Sequence, residues 1–425
     1  MVLAEVRPGH EQPLRDVLAQ MNSGPGQADP GNRLLPFGRF ESLHFARFAI
    51  LDDTTHADLA AHGVTPAALP TYLAFFGDCD GPAEAQLDEF VRVAQGGLLE
   101  VFTHCVDCPA GSALAAWLRA RNLPVAAAYA NWTGRTARRV REERAIAEAL
   151  GRRVQALGTT GSGQLQAVRQ QLVDFVAAER REGRLLVTPD PPTPAGWQLR
   201  NLGNIIAIPL IGLVALPFLL LYSPLFVWQL RRRELADPEI VPAPDVDHVA
   251  ELATFEDRGV TNAFTALGSV KPGRFRRNLV TVLVALLDYA ARHVYGRGHL
   301  TRVQTIHFAR WVFIDDKQRL LFASNYDGIL ESYMDDFINK VAWGLNLVFS
   351  NGVGYPRTKW LVAEGARNSQ AFKNYLRRHQ VANSVWYKAS AGLTAMDLAR
   401  HTRIREGLER STMSDRDIED WLRSM

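Results

Sequence analysis

Histidines recur at equivalent places in two similar stretches of this chain. The segments "LHFARFAILDD" (43–53) and "IHFARWVFIDD" (306–316) put His44 and His307 at the same position of an apolar, strand-like run. Imidazole can carry a proton near neutral pH or ligate a metal. Two such histidines could flank a haem or a metal ion. Alternatively, each could tie its strand to a neighbouring carboxylate.

The same two segments also repeat an arginine, at Arg47 and Arg310. A guanidinium on a buried strand must be paired, because an isolated buried charge is very costly. It could stabilise a negative charge that develops in a reaction, or it could serve only to join strands. Retention in both segments favours the structural role.

Aspartates follow the next apolar run in each half. "GDCDG" (77–81) contains Asp80 and "SNYDG" (324–328) contains Asp327. Each could be a general acid. Each could also cap the helix that begins immediately after it, since Asp-Gly followed by a first-turn Glu is a common helix start.

These residues belong to a duplication that covers much of the chain. Residues 72–109 align without a gap on 319–356, with thirteen of 38 positions identical, and 118–137 align on 376–395. The repeated unit has roughly 140 residues, and only two copies are present, which excludes a solenoid.

The pattern of each unit predicts its fold. In the first unit, "VLAEV", "HFAR", "YLAFFGD" and "LLEVFTHCV" have strand character, and "HEQPLRDVLAQM" and "PAEAQLDEFVRVA" have helical periodicity. The order β-α-β-β-α-β is the ferredoxin-like motif, with a further helix and strand near 113–129. The "HFAR" strands are apolar on both faces, which predicts that the sheet of the other unit covers one of them. We therefore expect an α+β protein in which two tandem ferredoxin-like repeats form a pseudo-twofold α/β barrel.

At the level of fold order and tandem arrangement, the chain resembles the dimeric α/β-barrel superfamily, which includes dye-decolourising peroxidases, chlorite dismutases and small monooxygenases. "GDCDG" matches the G-x-x-D-G pattern of those peroxidases. The resemblance implies haem as cofactor, Asp80 or Asp327 as the acid that moves the peroxide proton, and Arg47 or Arg310 as the charge-stabilising group. His44, His307 or His379 would bind the haem. The family's run around its proximal histidine is missing, and "LRRHQVANS" around His379 is the nearest candidate.

A charge-free segment of 30 residues, 201–230, separates the two units and is followed by Arg231–Arg233. It exceeds the ~20 residues that cross a hydrocarbon core. A single span would place the units on opposite sides of the bilayer, and three internal prolines are expected to break the helix. We therefore predict a monotopic, re-entrant or interfacial membrane anchor, with both repeats on the cytoplasmic side. The alternative is a buried core helix. The unusually apolar segment "RRNLVTVLVALLDYAARHVY" (276–295) is expected to pack against this anchor or a partner chain.

The sequence predicts six regions, listed here in chain order: repeat 1 (1–150), a helical and Pro-rich linker (151–200), the anchor (201–233), a second linker (234–258), repeat 2 (259–412) and a C-terminal helix (413–425). The glycine-rich stretch 158–164 is not a P-loop, because no strand precedes it and no GK[ST] closes it.

The net charge and the number of cysteines limit the classes of protein to which this chain can belong. A net charge of +3 does not indicate nucleic-acid binding, and three cysteines do not form a disulfide framework. "HCVDC" (104–108) could bind zinc or act as a redox pair, but repeat 2 replaces it, so no metal site is assigned.

Two functions remain open. One is a membrane-associated, oxidoreductase-like enzyme that acts on an apolar or lipid-derived substrate. The other is a non-catalytic lipid-binding or scaffolding protein. Membrane lipid is the expected partner in both, and a homo-oligomer is compatible with either.

Overall fold

The chain folds as an α+β protein, as the sequence predicts. A computed structural model describes residues 1–157, 164–190, 192–240, 242–295, 298, 300 and 302–425, so most of the glycine-rich stretch at 158–164 lies outside the described residues. The strands are β1 (Val2–Glu5), β2 (Asn22–Gly24), β3 (Gly26–Ala28), β4 (Leu43–Leu51), β5 (Tyr72–Cys79), β6 (Ala127–Ala130), β7 (Thr261–Ser269), β8 (Ile306–Ile314), β9 (Arg319–Asp327), β10 (Thr358–Lys359), β11 (Ala363–Glu364) and β12 (Asn383–Lys388). The helices are α1 (Glu11–Ala19), α2 (Ala83–Phe102), α3 (Leu114–Ala120), α4 (Ala137–Leu157), α5 (Leu165–Arg181), α6 (Ala195–Ala236), α7 (Val246–Phe255), α8 (Arg274–His293), α9 (Leu330–Phe349), α10 (Ser369–His379), α11 (Ala395–Glu409) and α12 (Asp415–Arg423).

The two main sheets have corresponding strand orders. One sheet runs β1-β5-β4-β12-β3-β2, and the other runs β7-β9-β8-β6. In each order, three strands from one half of the chain are followed by a strand from the other half, and the first sheet then ends with the short strands β3 and β2. Strand β12 pairs with β4 across the halves, and β6 pairs with β8 in the equivalent way. The two halves therefore complete each other's sheets.

The sheets pack face to face. Their inner faces meet in an apolar layer whose members are Met1, Ala49, Leu51, Ala74, Phe76, Leu267, Val312, Ile314, Leu321, Ala323 and Val381. Within the described residues the sheets stay separate and no closed ring of hydrogen-bonded strands forms. The observed architecture is thus two facing sheets, where the sequence analysis predicted a barrel.

The first repeat departs locally from its predicted pattern. Residues 98–106 were predicted as a strand, but 98–102 form the end of α2, and β12 of the other half provides the fourth strand of that sheet. The run is apolar on one helical face, because Leu98, Val101 and Phe102 are all buried under the sheet, so its apolar character did not separate helix from strand. The alternation in β4 is also interrupted, because the register shifts between Leu43 and Phe45.

The charge-free segment lies within one helix of 42 residues, α6. It has the length and apolar composition of a membrane-crossing helix, and its most apolar window is wholly unburied, which rules out the core-helix alternative. Pro209, Pro217 and Pro224 lie inside this helix without ending it, so the prediction that they break it is wrong. Apolar helices tolerate proline where neighbouring groups satisfy the freed carbonyls.

Candidate functional site

His44 pairs with Asp80 at the end of the first sheet where β4 begins and β5 ends. The His44 Nε2 atom lies 3.0 Å from Asp80 Oδ1, and the backbone N–H of Ala137 donates to Asp80 Oδ2 at 2.8 Å. Ala137 is the first residue of α4, so Asp80 binds a helix N-terminus. The prediction that Asp80 caps the helix following it in sequence is therefore wrong, because the N-cap position of that helix is Pro82 and Asp80 binds the start of α4 instead.

The second half repeats this arrangement with deeper burial. His307 Nε2 lies 2.7 Å from Asp327 Oδ1, and the N–H of Ala395, at the start of α11, donates to Asp327 Oδ2 at 2.7 Å. Thr261 Oγ1 donates to Asp327 as well. His307 is 2% exposed. Both histidine–aspartate pairs thus join the ends of two central strands to the helix that follows the strand contributed by the other half.

A β-bulge aims each histidine. The register of β4 on β5 shifts between Leu43 and Phe45, and that of β8 on β9 shifts between Ile306 and Phe308. The extra residue in each case is the histidine, and a bulged residue leaves the regular alternation of a strand. Sequence alternation could not reveal this change of direction.

Two phenyl rings stand between the histidines. The ring centroids form a row in which His44 lies 5.4 Å from Phe308, Phe308 5.8 Å from Phe45, and Phe45 5.5 Å from His307. Phe45 also stacks on Trp386 at 5.2 Å. A haem bound between the two histidines would have to displace both phenyl rings and both aspartates, so it does not fit these residues as they are arranged.

Arg47 crosses from one sheet to the other. Its Nη1 donates to the Phe264 carbonyl at 2.9 Å, and its Nη2 donates to the Ser324 carbonyl at 3.0 Å and to Asn325 Oδ1. Burial, and secondarily the nearby Arg310, lower the pKa of Arg47 to about 9. The guanidinium of Arg47 thus donates its hydrogen bonds to acceptors within the protein.

Arg310 makes the reciprocal crossing. It donates to the Gly77 carbonyl at 3.2 Å and to Asp78 Oδ1. Asn325 Nδ2 donates to Asp78 Oδ2 at 2.8 Å, which closes the network. Burial lowers the pKa of Arg310 to about 10. We call Arg47, Asp78, Arg310 and Asn325 the inter-sheet polar cluster.

Asp78 and Asn325 were missed at the sequence level. They are the second residues of "GDCDG" and "SNYDG", and they align with each other in the duplication. That alignment was the available signal, because each arginine requires a partner and this position is polar in both halves.

His379 belongs to neither histidine pair. Its Nδ1 lies 2.8 Å from the Tyr375 carbonyl, and its ring lies against Gly268 of β7. Burial lowers its pKa. Its Nε2 has no hydrogen-bond partner within the described residues and borders a small cavity of about 30 Å³, which is about the room of one water molecule.

The three cysteines are free thiols, of which Cys105 is buried and Cys79 and Cys108 are half-buried. Burial raises the pKa of Cys79 to about 11 and that of Cys105 to about 12. A thiol must lose its proton to attack a disulfide or bind zinc. No group of three or more metal-binding side chains is found in the part of the chain that the structure describes.

The most unusual surface lies on α6. Its large apolar side chains are exposed along its length, with Phe218 at 72% and Leu221 at 82%. Helix α6 runs antiparallel to α8, since the Tyr289 hydroxyl donates to the Ile205 carbonyl and Phe226 contacts Phe275. This confirms the expectation that 276–295 packs against the apolar segment.

Helix α8 adds to this surface. Val282 is 56% exposed and Leu286 is 51% exposed, and the stretch 278–287 contains no charged residue. We call α6 together with the exposed side of α8 the apolar face. Monomeric soluble proteins rarely expose a continuous apolar surface of this extent.

Both ends of α6 are attached to the folded body. Before the helix, Thr188 Oγ1 donates to Glu142 Oε1 at 2.6 Å, and Asp190 pairs with Arg139. At its end, Glu234 is buried and accepts hydrogen bonds from Thr358 Oγ1 and the Leu361 N–H. The apolar face is therefore held on one side of the molecule.

Comparison with known proteins gives no relative: no protein-family model, curated protein or solved structure matches this chain.

Proposed function

We propose that this protein is a non-catalytic, lipid-binding membrane protein, held on one side of a bilayer by its apolar face. The observation that carries the proposal is the exposure of α6, whose most apolar window has no buried residue although the helix is attached to the body at both ends. Leaving such a helix in water would be very unfavourable, and lipid is the environment that its composition suits.

The proposal places both halves on the same side, with the cytoplasmic side as the expected one. Because β6 and β12 are exchanged, the halves cannot be parted by a bilayer without breaking both sheets. At 1.5 Å per residue, the 42-residue helix is about 63 Å long. This length and its lateral contact with α8 support an interfacial position over a perpendicular span. Arg231–Arg233 at its end suit an anionic leaflet.

We further propose that the two halves arose by duplication of one ferredoxin-like unit and that they serve as a scaffold. The corresponding strand orders, repeated bulges and repeated histidine–aspartate pairs support this view. In this view Asp80, Asp327, Arg47 and Arg310 hold strands and helices together, because each has a protein partner.

The oxidoreductase-like alternative has less support. Both candidate acids are bound by a histidine and a helix N–H, and two phenyl rings lie between the histidines that would flank a haem. The oxidoreductase-like alternative therefore remains a prediction, and absorption spectroscopy tests it.

Flotation with vesicles of phosphatidylcholine and phosphatidylglycerol tests the proposal. The full-length protein should rise with the vesicles in high salt, and trypsin added outside should cut both halves. A protein that stays at the bottom of the gradient contradicts the proposal. Protection of one half alone would contradict the one-sided arrangement.

A further inference from the structure

An apolar pocket lies between α8 and α9, on the outer side of the second sheet. Its volume is about 210 Å³, and none of the described residues that line it is charged. An engineered apolar cavity of ~150 Å³ in another protein holds benzene, so this pocket has room for the end of an acyl chain and none for a headgroup as well.

The pocket opens toward the apolar face. Leu286 lines it and is 51% exposed on α8, and Trp343 lines it from α9 and is 47% exposed. An acyl chain in the bilayer could therefore enter the pocket without crossing a polar surface.

The first half fills the corresponding place with its own chain. Gly97 of α2 and Gly344 of α9 are equivalent, and both helices are kinked three residues earlier, at Ala94 and Val341. A Cβ atom added to Gly97 would lie only 1.9 Å from the carbonyl oxygen of Leu34. Leu34 and its neighbours Leu35 and Phe37 are fully buried in that half.

A Cβ atom added to Gly344 would meet, among the described residues, only Val341 Cγ1, at 3.6 Å. The two halves thus share a kinked helix with a glycine, and within the described residues the first half alone seats its own chain against that glycine.

We propose that the pocket between α8 and α9 binds one acyl chain of a bilayer phospholipid. This inference rests on the proposed membrane attachment, because the apolar face brings the mouth of the pocket to the lipid. The chain would bury its terminal methylenes against Leu287, Trp311 and Val348, while its headgroup stays at the bilayer surface.

The test fills the pocket and leaves the apolar face intact. Gly344→Leu puts a side chain into the pocket and improves helix propensity at that position. Gly212→Leu on α6 is the matched control, because nothing lies within 4 Å of Gly212. Ala290→Leu fills the pocket from α8 and serves as a second variant that does not depend on α9.

Each full-length protein is incubated with phosphatidylglycerol vesicles, extracted and washed in detergent, and the retained lipid per protein is measured by mass spectrometry. Wild type and Gly212→Leu should retain phosphatidylglycerol. Gly344→Leu and Ala290→Leu should retain about tenfold less, since excluding even two methylenes weakens binding by that factor. All four proteins should float with vesicles.

Equal retention by the pocket-filled variants overturns the inference while flotation still supports membrane attachment. Retention of a free fatty acid in place of the phospholipid overturns the assigned source. Failure of all four proteins to float overturns the proposed function and this inference with it.

Discussion

Asp78 and Asn325 occupy equivalent positions in the two halves of the chain and hydrogen-bond to each other, with Asn325 Nδ2 donating to Asp78 Oδ2 at 2.8 Å. Each also accepts from the arginine of the opposite sheet. The amide is needed because two carboxylates at this distance would repel. One acid and one amide therefore serve two arginines.

The hydrogen bond between Asp78 and Asn325 predicts what happens when the acid and the amide are exchanged. Asp78→Asn should lower the free energy of unfolding by about 3 to 5 kcal/mol, because it leaves two buried guanidiniums without a carboxylate. Asn325→Asp should also destabilise, since it brings two carboxylates together. The double variant Asp78→Asn/Asn325→Asp should recover most of the loss, because the polar cluster then has its original composition.

Urea unfolding of the four proteins measures this coupling. Asp88→Asn, which removes an exposed pair with Arg119, is the control and should change stability by less than about 1 kcal/mol. If the double variant lost as much stability as the two single variants together, the predicted recovery would be contradicted.

The two histidine–aspartate pairs should differ in their contribution to stability. Asp327→Ala leaves buried polar groups of His307, Thr261 and Ala395 without their hydrogen-bond partner. It should lower the free energy of unfolding by about 3 kcal/mol. Asp80→Ala affects a more exposed pair and should cost about 1 to 2 kcal/mol. Denaturant unfolding measures both values, and a smaller loss at Asp327 than at Asp80 would contradict the burial argument.

Lys271 should make the protein more stable as the pH rises above 8. Burial lowers its pKa from 10.5 to about 8, although Asp237 lies 2.8 Å away and opposes this shift. Between these two values the unfolded chain binds more protons than the folded one, so stability increases with pH.

The gain from pH 8 to 9.5 should be about 2 kcal/mol. Lys271→Met should lose this part of the pH dependence, and Arg276 would still pair with Asp237. Unfolding measured at both pH values in both proteins separates this effect from that of the buried arginines. An equal rise in the variant would assign the effect to another group.

A charge on the apolar face should release the protein from membranes. Leu221→Asp places a carboxylate in the middle of α6, where insertion costs about 3 kcal/mol, so vesicle affinity should fall roughly 100-fold. Met396→Asp, at a 65% exposed position on α11, is the matched control and should bind vesicles normally. Neither change should alter the thermal unfolding of the body, and unchanged flotation of Leu221→Asp would contradict the assigned surface.

Protein purified from membranes should show no Soret absorption band, because Phe45 and Phe308 occupy the space between His44 and His307. A Soret band that His44→Ala or His307→Ala changes would contradict this expectation and restore the oxidoreductase-like alternative.

The sequence predicted the α+β class, and the duplication located every equivalent pair used above. It could not place the fourth strand. Residues 127–130 and 383–388 read as strands in either partner sheet, and only tertiary packing decides which edge they join. Residues 98–102, the end of α2, were mistaken for part of a strand, because a short apolar run does not by itself distinguish a helix from a strand.

The sequence singled out part of the candidate site, but it missed Asp78 and Asn325, which complete the inter-sheet polar cluster. His44, Asp80, His307 and Asp327 do meet in pairs, whereas Arg47 and Arg310 bind across the sheets. The bulges that aim the histidines have no signature in a strand that is apolar on both faces. His379 was selected by resemblance alone and lies elsewhere.

Exchange of β6 and β12 also bears on how the chain is made. During synthesis the first sheet cannot close until residue 388 has left the ribosome, long after the 201–230 segment has emerged. For that interval β4 presents an unpaired edge beside a newly made lipid-seeking segment. Early capture of that segment by a bilayer would keep it from aggregating while the remaining half is translated.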